Sequence, residues 1–129
     1  MKYQTAKLLM LAGTALRMGY GAGSFSTPAW MVSSELAPDT HDLPEPRLLL
    51  RAFGGHQLVT GAFALAALRR PRLLRSAAAL GLAIDAFDVA SAVLELRARG
   101  TPDRATVGGI ALSGGGVLIF GTALRALSR

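Results

Sequence analysis

Cysteine is absent from the 129 residues, which excludes disulfides, thiolate metal sites and thiol redox chemistry. Charge is scarce too. Only 17% of residues are Asp, Glu, Lys or Arg and 51% are hydrophobic, with a mean hydropathy of +0.40, whereas soluble domains carry about a quarter charged residues. The surplus apolar surface calls for a bilayer or a large partner. Acids are the scarcer sign, eight against fourteen Lys and Arg, for a net charge of +6. That basic balance does not read as a nucleic-acid surface, which interleaves cations with polar and aromatic residues along one face. Here the cations sit at the ends of apolar segments, the pattern of membrane orientation signals.

Against a spanning length of about 20 residues, the chain divides into four apolar segments: 6–22, 48–68, 73–96 and 105–127. Each is rich in Leu, Ala and Gly or Met without period-two alternation, so each reads as a helix. "RRPRLLR" contains Pro71, which ends one helix and starts the next across a short turn, making the second and third segments an antiparallel hairpin. The fold class expected is therefore all-α, a single integral membrane four-helix bundle. Lys2, Lys7, the four arginines Arg69, Arg70, Arg72 and Arg75, and Arg125 and Arg129 all fall on one side of a four-span chain. The positive-inside rule makes that side, with both termini, cytoplasmic, and the protein a multi-pass inner-membrane protein. The loop 23–47 then faces outward, with Glu35, Asp39, Asp42 and Glu45 as a solvated face and Trp30 as an interfacial anchor.

Two alternatives compete with this topology. The first 24 residues have the basic start, apolar core and small residues of a cleavable signal peptide, but Arg17 and the continued helical run favour retention; cleavage would leave three spans. A soluble helical bundle would need polar faces, and the stretch 107–124 has none.

"GLAIDAFDVASAVL" sets two carboxylates, Asp85 and Asp88, in an otherwise apolar segment. A charge facing lipid at mid-bilayer costs at least about 2.5–3.5 kcal/mol on insertion scales, so the acids should look inward, on a helix face shared with Ser91, toward Arg17, Arg51 or His56 on neighbouring helices. With a rise of about 1.5 Å per residue, Asp88 and His56 both lie about 14 Å from the outer edge, and Arg17 and Tyr20 occupy the outer half of the first segment. Arg17, Tyr20, His56, Asp85 and Asp88 are the expected polar pocket, with Arg51 and Gln57 as further binding candidates. Arg51 and His56 stand about 140° apart around their helix, and Arg51 is near enough to the surface to snorkel.

The acids and cations also suit an interhelical staple that does no chemistry. His56 lacks metal-ligand company, because the other histidine, His41, is in the acidic loop; no metal or cofactor is expected. "SGGG" at 113–116 has no Gly-Lys-Ser/Thr to make a phosphate loop and reads as close helix packing, as does the spacing of Gly109 and Ser113. The arginine turn suits anionic headgroups, but an orientation signal explains it without further assumptions.

With Pro28 in "STPAW", "RAFGGHQLVTG" from Arg51 to Gly61, and Asp85, the chain resembles a family of small four-span bacterial and fungal membrane proteins grouped as a domain of unknown function. Members show a proline after the first span, an Arg, then Gly-x-Arg-Asp and a later Gly in the second, and an acid in the third. This sequence departs at the Arg-Asp pair, where it has His56 and Gln57. The resemblance implies four helices and carries no activity. Small multidrug exporters share the helix count, but their functional acid lies in the first span, where this chain has Arg17.

The function expected is binding of a small amphiphilic or lipid-like ligand, with Arg17 holding an anionic or carbonyl group. The alternative is a membrane-embedded acid/base enzyme, an isomerase, epoxide-opening hydrolase or cyclase, in which Asp85, Asp88 and His56 are catalytic. A non-catalytic subunit of a membrane complex or a homo-oligomer is a third reading, for which the Gly-rich fourth segment is the hint.

Overall fold

The computed structural model describes residues 2–28, 30 and 44–128. The expectations for Glu35, Asp39, His41 and Asp42 lie outside the described residues, as does the side chain of Glu45. Among the described residues there are four long helices and no strand: α1 (Lys2–Ser26), α2 (Pro44–Ala67), α3 (Pro71–Arg99) and α4 (Arg104–Leu127). They coincide with the four apolar runs and extend beyond most of their ends. Two of them, α3 and α4, are long and apolar enough to cross a membrane.

The chain divides into two compact units, Met1–Thr14 with Phe63–Arg129, and Ala15–Ala62. In the first, α3 and α4 form an antiparallel hairpin. Arg70 takes extended backbone (φ −133°, ψ 109°), as the residue before a proline must, and Pro71 opens α3 with its preset φ. At the other end Gly100 adopts the left-handed conformation (φ 73°), which lacks a Cβ penalty only for glycine, and its N–H donates to the Leu96 carbonyl at 2.9 Å. Asp103 then caps α4: its Oδ1 accepts from the Thr106 amide at 2.7 Å, while Thr106 Oγ1 accepts from the Asp103 amide at 3.2 Å. The Thr106 amide first, and next its hydroxyl, which donates to Oδ1 at 2.9 Å, hold the Asp103 carboxyl below its usual range. Arg99 ties the corner by donating to Glu95 at 2.5 Å and to Asp103 at 2.6 Å.

Small residues line the core of this unit. Ala64, Ala67, Ala77, Ala78 and Ala123 are buried with Met10, Leu74 and Phe120. Larger apolar residues point outward: Phe87 is 75% exposed and Leu118 73%, with Leu80, Leu94, Val107 and Leu112 also exposed. Helices that bring small residues together pack closely enough to gain dispersion contact without a hydrophobic driving force. A Cβ on Gly81 would stand 2.9–3.0 Å from the Phe120 ring, and one on Gly13 2.9 Å from it, so both glycines are required for the ring to sit there.

In the second unit α1 and α2 approach at backbone distance. A Cβ on Gly54 would meet the Gly21 carbonyl at 2.5 Å and the Phe25 amide at 2.7 Å. Tyr20 and Phe53 meet edge to face, with ring centroids 5.8 Å apart at 84°.

Candidate functional site

The α3–α4 seam follows a three–four spacing on both helices. On α3 the buried residues are Leu74, Ala77, Ala78, Gly81 and Asp85, and on α4 Thr106, Phe120 and Ala123. Three contacts fix the register: Gly81 against Phe120, Asp85 against Gly116 and Ala92 against Gly109. Stepping along it, Asp88 falls level with Ser113 and Leu74 with Leu127. Asp85 thus belongs to the packing line itself, and it is 7% exposed.

Its carboxylate lies directly over the bare Cα of Gly116. A Cβ on Gly116 would overlap Oδ2 and come within 2.6 Å of Cγ. The neighbouring Gly114 and Gly115 have nothing within 4 Å of an added Cβ, so of the three consecutive glycines Gly116 alone makes room for the acid. At about 100° per residue, Asp88 is turned about 60° from Asp85 and Ser91 about 120°. Burial falls in the same order, with Asp88 half-buried and Ser91 exposed. Ser91 therefore leaves the face on which the sequence places it beside the acids, and its hydroxyl donates to the Phe87 carbonyl at 2.8 Å, which satisfies it within its own helix.

The other sequence-predicted residues fall in the Ala15–Ala62 unit. On α1, Arg17 is buried, one turn before Gly21, and Tyr20 is half-buried against Phe53. On α2, Gln57 is buried while His56 and Arg51 are exposed. The close approach at Gly21 decides this azimuth: an added Cβ there would stand 2.8 Å from Gln57 Cβ, which puts the amide on the packing face and its neighbour His56 off it. Within this unit Arg17 and Gln57 are thus both buried; within the other, Asp85 is buried and Asp88 half-buried. Sequence reasoning missed Ser24, which is fully buried with no hydrogen-bond partner for its hydroxyl among the described residues. Its three–four spacing from Arg17 and Gly21 was the available signal. Among the described residues no group of three or more His, Asp or Glu is placed to hold a metal ion.

Chemically, two carboxyls one turn apart in unequal surroundings, one enclosed and one half-open, can accept hydrogen bonds or hold a cation. Comparison with protein-family models, curated proteins and solved structures finds no match.

Proposed function

We propose that this chain is a multi-pass protein of the inner membrane, crossing it four times with both termini cytoplasmic, and that it binds a small amphiphilic or lipid-like ligand through the α3 carboxylates Asp85 and Asp88. The membrane part is supported by where the apolar residues are. Leaving Leu80, Phe87, Leu94, Val107, Leu112 and Leu118 exposed in water would forgo on the order of 10 kcal/mol of burial, comparable with the whole stability of a soluble domain. Lipid removes that penalty. Exposed hydroxyls bonded back to their own helix, such as Thr60 to the His56 carbonyl at 2.9 Å and Ser91 to Phe87, suit the same medium. The resemblance to the four-span family is part of this proposal.

The observation that carries the binding reading is the Asp85 carboxylate enclosed on Gly116. Inward ionisable groups in apolar spans are costly and mark functional sites by default. A ligand of this pair has a head that is cationic or donates hydrogen bonds, and an apolar remainder. Mass spectrometry of lipids and small molecules that copurify in detergent tests it: Asp85→Asn should lose the ligand and Asp88→Asn weaken it. Equal recovery from wild type and both variants would remove the binding site.

The unequal burial of Asp85 and Asp88 favours one second reading, a membrane-embedded acid/base catalyst, since two carboxyls in different environments can divide the roles of acid and base. A pH–rate profile altered by each single Asn variant would favour it, and turnover surviving in the double variant would end it.

A further inference from the structure

The hairpin's two ends are charged differently. At the Gly100 corner, Arg99 is bonded to Glu95 and Asp103. At the α2–α3 turn, Arg69, Arg70, Arg72 and Arg75 are all exposed, and none makes a side-chain hydrogen bond or ion pair among the described residues. No acid occurs between Glu45 and Asp85. The register brings the last turn of α4, with exposed Arg125, to the same end. An orientation signal needs only charge in the loop. Here there is also shape: a groove of about 560 Å³ lined by Leu65, Ala66, Leu73, Arg69 and Arg70. That volume falls in the roughly 300–1,000 Å³ range of small-molecule clefts.

We infer that this groove is a binding site for one anionic phospholipid of the cytoplasmic leaflet, separate from the Asp85 site. Arg69 and Arg70 hold the headgroup phosphate, for which the guanidinium fork is the matching donor. Leu65, Ala66 and Leu73 bed the acyl chain. Charge decides the occupant: a zwitterionic lipid leaves the four cations with no net countercharge, and a soluble anion leaves the apolar wall uncovered. The inference rests on the membrane reading given above and is independent of any ligand at Asp85.

Native mass spectrometry of the delipidated chain in detergent, titrated with phosphatidylglycerol or phosphatidylcholine of the same acyl chains, tests it. Wild type should prefer phosphatidylglycerol. Arg69→Gln/Arg70→Gln should reduce that preference by roughly 30-fold, from two surface cations, and Arg97→Gln at the opposite end should leave it unchanged. Equal binding of the two lipids by wild type, or a preference untouched in the double variant or lost equally in Arg97→Gln, would overturn the inference alone. A chain that is monodisperse without detergent would remove the membrane reading and this inference together.

Discussion

Gly116→Ala is the substitution with the clearest structural consequence. The added methyl would lie on the Asp85 carboxylate, within 2.6 Å of Cγ and 3.2 Å of Oδ1, so the side chain must retreat by roughly 1 Å to regain ordinary contact. It sits on a packed seam with little room, and overpacking of this kind costs about 1–3 kcal/mol. The same change one residue earlier, Gly115→Ala, meets nothing within 4 Å and should stabilise the helix by about 0.5–1 kcal/mol through the lower backbone entropy of alanine. The assay is reversible unfolding in mixed micelles, followed by circular dichroism, on wild type, both alanine variants, Asp85→Ala and the Gly116→Ala/Asp85→Ala double variant. Removing the carboxylate vacates the space the methyl needs, so the two changes should couple by about 1–3 kcal/mol. Strict additivity, or a neutral Gly116→Ala, would show that the carboxylate does not occupy that position.

Three further outcomes follow from the same geometry. Gly54→Ala should destabilise more than Gly61→Ala, because the first meets backbone atoms of Gly21 and Phe25 and the second only the flexible Met18 side chain; unfolding midpoints rank them. Asp103 has its carboxyl lowered below 3.8 by the Thr106 bonds, so its contribution is present above that pH and is lost as the pH falls through the lower folded value. Thermal midpoints of wild type and Asp103→Asn should therefore run parallel above pH 3.8 and converge or cross only below it. Gly81→Ala should disturb the Phe120 ring, seen as loss of its near-ultraviolet or NMR signature, whereas Gly108→Ala, with open space around it, should not.

The helices were legible because length, composition and Pro71 act locally along the chain. The enclosure of Asp85 was half legible. Its apolar surroundings demanded that it face inward, but its receptor is Gly116, and the register of two antiparallel helices is written in neither one alone. Gly114, Gly115 and Gly116 look alike in sequence and differ only in what stands opposite. The capping of α4 by Asp103 is written in the Asp-x-x-Thr spacing but is a weak signal there, since Thr replaces the more familiar Glu or Gln at the third position. His56 and Gln57 illustrate the other limit: adjacent residues differ by about 100° in azimuth, and only the approach of Gly21 and Gly54 fixes which one turns inward.

Because the chain lacks cysteine, single introduced thiols report their surroundings without background. Phe87→Cys and Leu118→Cys, at positions about three-quarters exposed on the protein itself, should resist a charged maleimide in intact membrane vesicles, while Thr101→Cys at the hairpin corner should, on the proposed topology, react from the external side. Labelling of Phe87→Cys as fast as Thr101→Cys would mean that water, not hydrocarbon, surrounds the hairpin.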